Sequence, residues 1–288
     1  MGALLRSAAG LLRGRGERRD GGVYFFSLQV DPAHRQTLLD ALLEHGRDCT
    51  AHEPGTLRFE VLADDADPAR RSLYEAYAPT LTGLGERVHL ASPAVGLDSW
   101  VQDVVNVLEY EDLRGVVLVG HSFGGLVIAG VADQVPERLA HLIYLDADPG
   151  VDAADGRAFV DGMAPAWRAA MEERMRTHGE GWRVPIEPER ALDGWGIVDP
   201  AERRWMAQRL VPHPWKTGTD PLRLPTGRGQ ALPRTFILCT RRWGPSRGPH
   251  PAQSAPGWRF RELDAGHDAM VTAPRELTDA LLEVAAAA

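Results

Sequence analysis

Hydrophobic positions along this chain change rhythm near residue 77. Before it, apolar residues sit in short β-rich runs: Val23 to Val30 reads Val-Tyr-Phe-Phe-Ser-Leu-Gln-Val, which predicts a strand. Asp31-Pro32 then opens a helix running to about Ala51, with Leu38, Leu39, Leu42 and Leu43 on one face. Glu53-Pro54-Gly55 predicts a turn, Thr56 to Leu62 an alternating strand, Asp64 to Pro68 a second turn, and Arg71 to Tyr77 another strand. This β-α-β-β order is that of a ferredoxin-like half.

Beyond residue 77, strand and helix patterns alternate. An amphipathic helix is expected from Ser99 to about Glu111, a strand over Val116 to Val119, and a helix over Leu126 to Val135 that stops at Pro136. Strands follow at Leu139 to Leu145, Thr235 to Cys239 and Trp258 to Leu263, and a helix from Pro274 to Ala285 closes the series. Asp152 to Lys216 reads as a helical insertion rich in Trp, Met and Arg. Such alternation predicts an α/β fold around a mostly parallel sheet, with the insertion as a cap at about 152–217.

Composition narrows the function classes. A chain of 288 residues can bury a sizeable core, so one α/β domain, or one domain with an appendage, is expected. The net charge of -8 and the lack of a basic stripe in the body argue against nucleic acid as a partner. No run approaches the roughly 18 apolar residues of a membrane span, so no membrane partner is expected. Cys49 and Cys239 are too few and too separate for a disulfide framework, which suits a reducing, cytoplasmic compartment. Met1 to Gly22, with Arg6, Arg13, Arg15, Arg18 and Arg19 among glycines, reads as a disordered leader.

Candidate chemistry concentrates at Val116 to Gly125, Val-Val-Leu-Val-Gly-His-Ser-Phe-Gly-Gly, a strand breaking into Gly-x-Ser-x-Gly. This is the pattern of a nucleophile elbow, and it puts Ser122 forward as the nucleophile, with Gly120 and Gly124 giving the chain room to turn. A serine hydroxyl needs a base within hydrogen-bond reach. Among ten histidines, His267 stands out, because Asp264-Ala265-Gly266-His267-Asp268 follows a predicted strand as a flexible turn. No cluster has metal-ligand spacing, and Gly83-x-Gly85 lacks the remaining glycines of a dinucleotide loop, so no cofactor is expected. Trp167, Met171, Met175, Trp182, Trp195, Trp205 and Trp215 of the insertion either line a pocket for an apolar acyl group or pack the cap.

Two resemblances add to this reading. Tyr77-Ala78-Pro79-Thr80-Leu81-Thr82-Gly83-Leu84-Gly85-Glu86-Arg87, Gly120-His121-Ser122-Phe123-Gly124-Gly125, Val135-Pro136-Glu137-Arg138 and Gly266-His267-Asp268-Ala269-Met270 resemble the α/β-hydrolase family. The likeness is to its branch of plant salicylate methyl esterases and hydroxynitrile lyases with bacterial relatives. It implies that His267 is the base and that the backbone N–H of Phe123 stabilises the oxyanion. Relatives usually carry the orienting aspartate just beyond the strand ending here at Cys239, where this chain has Thr240-Arg241-Arg242-Trp243. Others take it from the strand after the elbow helix, which makes Asp146 the first candidate and Asp148 the second. The family's usual second oxyanion donor comes from an early His-Gly-type loop, and this chain has a different segment there. Residues 23–77 instead resemble antibiotic biosynthesis monooxygenases, through His52-Glu53-Pro54-Gly55-Thr56-Leu57-Arg58-Phe59-Glu60-Val61 and Leu73-Tyr74-Glu75-Ala76-Tyr77. The second helix and fourth strand of that family are missing.

The expected activity is hydrolysis of a small ester or related acyl compound by Ser122, His267 and Asp146. Hydroxynitrile lyase chemistry is disfavoured, because the lysine it uses beyond the Cys239 strand is missing and Lys216 is the only lysine. The alternatives are a hydrolase-like binding or assembly protein acting through residues 23–77, for instance as a homodimer, and a cofactor-independent monooxygenase.

Overall fold

The computed structural model describes residues 56–63, 71–147, 156, 158–241 and 250–288. The strand expected at Val23 to Val30, the helix after it, the leader and Asp148 lie outside them. Two compact units divide the chain: one contains the hairpin described next with Leu113–Gly115, and the other is Thr80–Asp112 with Val116–Ala288. The hairpin is antiparallel, β1 (Thr56–Ala63) on β2 (Arg71–Tyr77), with Phe59 opposite Glu75 and Val61 opposite Leu73.

The larger unit opens with a 3-10 turn (Gly85–Leu90) and helix α1 (Leu97–Tyr110), then β3 (Val116–His121), α2 (Gly124–Gln134) and β4 (Leu139–Leu145). Helix α1 starts two residues before the expected Ser99. The reason is a contact far along the chain: Asp220 Oδ2 accepts the N–H of Leu97 at 3.1 Å, capping a helix end that has no side-chain cap of its own. A Cβ on Gly96 would lie 1.9 Å from that oxygen, so the cap requires glycine there.

The insertion forms a 3-10 turn (Phe159–Gly162), α3 (Pro165–His178), β5 (Arg183–Val184), α4 (Pro188–Trp195), α5 (Pro200–Ala207), β6 (His213–Pro214) and the single turn α6 (Lys216–Thr219). It has a small core of its own, with Leu192, Ile197 and Met206 packed by Trp195 and Val271. Helix α3 buries none of its residues. Of the tryptophans for which pocket lining and cap packing were both open, Trp167 and Trp205 are 46% and 53% exposed and stand on outer faces of cap helices.

After the cap come β7 (Arg234–Cys239), β8 (Trp258–Leu263), α7 (Ala269–Thr272) and α8 (Pro274–Ala286). The sheet is parallel in the order β3-β4-β7-β8. Strand β4 lies inside and is buried almost throughout, as its unbroken apolar run requires. β3 is an edge among the described residues, and Val119 is correspondingly exposed. Alternation along β4 sends Ile143 and Leu145 to one face, where Ile237, Leu263, Leu277 and Val284 complete a core beneath α8. Leu142 and Tyr144 face α2 on the other side. Each fully buried side chain of this size contributes roughly 1.5–3 kcal/mol. Helix α1 reaches α2 closely at Gly130, where a Cβ would meet Val101 Cγ2 at 2.7 Å. No helix among the described residues is long and apolar enough to cross a membrane.

Candidate active site

The elbow lies between β3 and α2. Ser122 takes the left-handed conformation, φ +51°, which costs a non-glycine residue about 1–2 kcal/mol. The surroundings hold it there. Ser122 N–H donates to Leu145 O at 3.1 Å, and Gly125 N–H donates to Ser122 O at 3.1 Å. The two elbow glycines differ in what they do. A Cβ on Gly120 would come within 2.5 Å of Gly124 O and 2.9 Å of Ile128 Cγ1, whereas one on Gly124 would meet nothing within 4 Å. The expectation that both make room for the turn is thus corrected: Gly120 alone does, because it is where the strand passes under the helix backbone. Phe123, at the helix entry, donates its N–H to no acceptor among the described residues.

Asp146 follows β4 directly, at φ +41°, with its N–H donated to Ile237 O at 2.8 Å. A short carboxylate side chain tolerates this region better than most. Its Oδ2 accepts a hydrogen bond from His267 Nδ1 at 2.6 Å, with the two side chains 1% and 9% exposed. A proton on Nδ1 leaves the lone pair of a neutral imidazole on Nε2. Ser122 Oγ itself makes no hydrogen bond among the described residues. Pairs of this kind often shorten only when substrate is bound.

The loop carrying His267 is fastened at several points. Its N–H donates to Trp195 O at 3.0 Å, its carbonyl accepts from His121 Nε2 at 2.8 Å, and the two imidazole rings lie 4.5 Å apart. Arg241 occupies the place where relatives usually carry the orienting acid. Its backbone N–H donates to Ala265 O at 2.9 Å, and its guanidinium donates to Asp264 O at 2.6 Å and pairs with Asp264 Oδ1 at 2.9 Å. That strand end therefore anchors the histidine loop and leaves orientation of the ring to β4. Next to the base, Asp268 has its carboxyl raised above the ordinary range, chiefly by burial; the nearby His267 opposes that shift and Asp146 adds to it. Its Oδ2 is buried without a partner among the described residues.

Aromatic rings surround the residue after Ser122. Phe123 meets Trp100 edge-on at 5.5 Å and Phe159 at 5.0 Å, and Trp100 lies 6.3 Å from His213 of the cap. Sequence reasoning singled out neither His121, Arg241 as a latch, nor His213. Only His121 carried a local signal, its place beside Ser122 in the elbow. A cavity of about 270 Å³ lined by Asp133, Tyr144, Arg234 and Trp258 lies on the α2 face of the sheet and includes none of these groups. Among the described residues no three His, Cys, Asp or Glu side chains are placed to hold a metal ion.

Residues 41–280 match the profile of the alpha/beta hydrolase family. The chain belongs to that family. A carbendazim hydrolyzing esterase from Nocardioides sp. (strain SG-4G) is 32% identical over 232 residues, 76% of this chain and 91% of that protein. The fold of this hydrolase recurs in solved structures. An extracellular alpha/beta-hydrolase from a Paenibacillus species has a TM-score of 0.62 at 24% identity, covering 73% of this chain and 86% of that one. A methylesterase from Arabidopsis gives 0.54 at 21% identity over 75% of this chain and 86% of its own.

Proposed function

We propose that this alpha/beta hydrolase cleaves a small ester or related acyl compound through Ser122, His267 and Asp146. The observation that carries the reading is the buried 2.6 Å contact between Asp146 and His267 Nδ1, which leaves the lone pair of the neutral imidazole on Nε2. In the forward step His267 Nε2 takes the Ser122 proton as Oγ bonds to the ester carbonyl carbon. The carbonyl oxygen becomes an oxyanion, which the Phe123 N–H stabilises at the start of α2. Collapse expels the alcohol, which receives the proton from His267, and leaves an acyl group on Ser122. Water then attacks that acyl carbon, giving its proton to His267, and release of the acid restores the serine.

Within the family we place the chain on the branch of salicylate methyl esterases and their bacterial relatives. That placement is supported by the elbow and Gly266-His267-Asp268-Ala269-Met270 sequences and by the methylesterase among its structural neighbours. For residues 23–77 we propose a structural or self-associating role, supported by the β1–β2 hairpin; sedimentation of the chain with and without them tests it. The triad is tested by a fluorophosphonate probe: the folded chain should label and Ser122→Ala should not. Equal labelling of both would overturn the assignment.

A further inference from the structure

The register of the sheet sets Leu142, Arg234 and Trp258 side by side across β4, β7 and β8. All three line the cavity of about 270 Å³ on the α2 face, together with Asp133 and Tyr144, and no step of the hydrolytic cycle uses it. One water needs roughly 10–15 Å³ of such space, so the cavity is large enough for a small organic molecule. Asp133 and Leu142 are buried at its floor, whereas Gln230 and Pro256 at its edge are exposed, so it opens to solvent. Toward α2 it is closed by backbone: a Cβ on Gly229 would lie 2.8 Å from Ala132 C.

Two opposite charges stand in its walls without meeting. Asp133, 3% exposed near the end of α2, has its Oδ2 turned to Thr226, whose N–H it accepts at 3.1 Å. Thr226 is not part of the cavity wall, and Oδ1, the other oxygen of the carboxylate, is buried with no partner among the described residues. Arg234 starts β7. A terminal nitrogen of its guanidinium donates to Gln230 O at 2.9 Å, and the group lies 5.0 Å from the centre of the Trp258 ring, while its Nε–H is also buried with no partner among the described residues. Among those residues neither side chain forms an ion pair. A buried carboxylate with one donor is poorly compensated, as is a guanidinium N–H with no acceptor.

Charge decides what fits. A cation drawn to Asp133 meets the like charge of Arg234, and an anion drawn to Arg234 meets Asp133, whereas a molecule that carries both charges can satisfy both groups. The rest of the wall is largely apolar, with the Tyr144 and Trp258 rings 5.2 Å apart and Leu142 and Leu224 contributing to it. We propose that this cavity binds a free α-amino acid with an apolar or aromatic side chain. Its ammonium donates to Asp133 Oδ1, its carboxylate accepts from Arg234 Nε, and its side chain lies against Tyr144 and Trp258. Both polar atoms are reached by side-chain adjustments of the kind common on binding. Ser122, His267 and Asp146 are not in the cavity wall, so the proposal stands or falls independently of the hydrolase reading.

Calorimetric titration of the full chain with L-phenylalanine tests it, and a Kd of about 1 mM or below is expected. N-Acetyl-L-phenylalanine lacks the ammonium and L-phenylalaninamide lacks the carboxylate. Each should bind about ten- to a hundredfold more weakly, the worth of one hydrogen bond to a charged group. Asp133→Asn keeps an oxygen for the Thr226 N–H and Arg234→Met keeps the aliphatic stem, and each should weaken L-phenylalanine binding by a similar factor. Should either variant melt early, Ala129→Leu leaves both charges in place and fills the cavity, and it should also block binding. No binding up to about 10 mM, the result if ordered water alone occupies the cavity, overturns the proposal. Binding that Asp133→Asn and Arg234→Met change by less than about twofold, or that the two modified ligands match, overturns it as well, because neither charge is then being read.

Discussion

Replacing Asp146 by Asn keeps the shape of the side chain and removes its charge. The carboxylate lies 2.6 Å from His267 Nδ1 and is 1% exposed, so solvent does little to screen it. When His267 takes the serine proton, a carboxylate and an imidazolium at that separation attract by roughly 6 kcal/mol in an effective dielectric of about 20. At about 1.4 kcal/mol per decade, losing this attraction slows the reaction by about 10⁴-fold. The amide also has an N–H to offer. Pointed at Nδ1, it moves the ring proton to Nε2, and the base then faces Ser122 already protonated, a change that in triads of this type also costs about 10⁴. The assay is kcat for p-nitrophenyl acetate, together with the rate of fluorophosphonate labelling. Both should fall by three to four orders of magnitude in a protein whose circular dichroism is unchanged. A loss below about tenfold would refute the argument, since a carboxylate so placed cannot be removed cheaply if the imidazole beside it becomes charged.

The elbow glycines give a paired test by denaturant unfolding. Gly120→Ala should cost about 3 kcal/mol, because its Cβ meets backbone at 2.5 Å, whereas Gly124→Ala should be neutral or gain up to ~1 kcal/mol of helix propensity. His121 acts as a positioning residue through its 2.8 Å bond to His267 O: His121→Phe should lower kcat about tenfold with KM little changed, and His121→Gln, which keeps a donor, should recover most of it. Asp268 has a pKa raised above its ordinary 3.8, so the folded protein keeps that proton longer than the unfolded chain. Stability is therefore lost as pH rises from 3.8 through the folded value. Asp268→Asn should melt higher than wild type at pH 7, with the advantage gone below pH 3.8; an advantage that persists in acid would exclude this cause.

Much of the larger unit is legible from residue order. The runs Leu139–Leu145 and Trp258–Leu263 begin and end where their apolar pattern does, and the elbow announces itself by a β-branched strand breaking into glycines. Backbone periodicity and turn chemistry are properties of neighbouring residues, so a strand, a helix and an exposed serine can be read without knowing what packs on them. The family match and the parallel sheet agree with that reading.

Other features belong to contacts between distant parts of the chain. Residue order leaves Asp146 and His267 121 positions apart, and only the pairing of β4 with β7 and β7 with β8 sets the carboxylate beside the ring. In the same way Asp220 fixes the start of α1, Arg241 serves as a latch and not as an acid, and the outward tryptophans are separated from those that pack. Sequence by itself determined the kinds of element and the nucleophile's turn, because those follow from local sterics and hydrophobic alternation. Tertiary structure decided which polar groups meet, because a hydrogen bond depends on ångström-scale placement of side chains that only the packed sheet supplies.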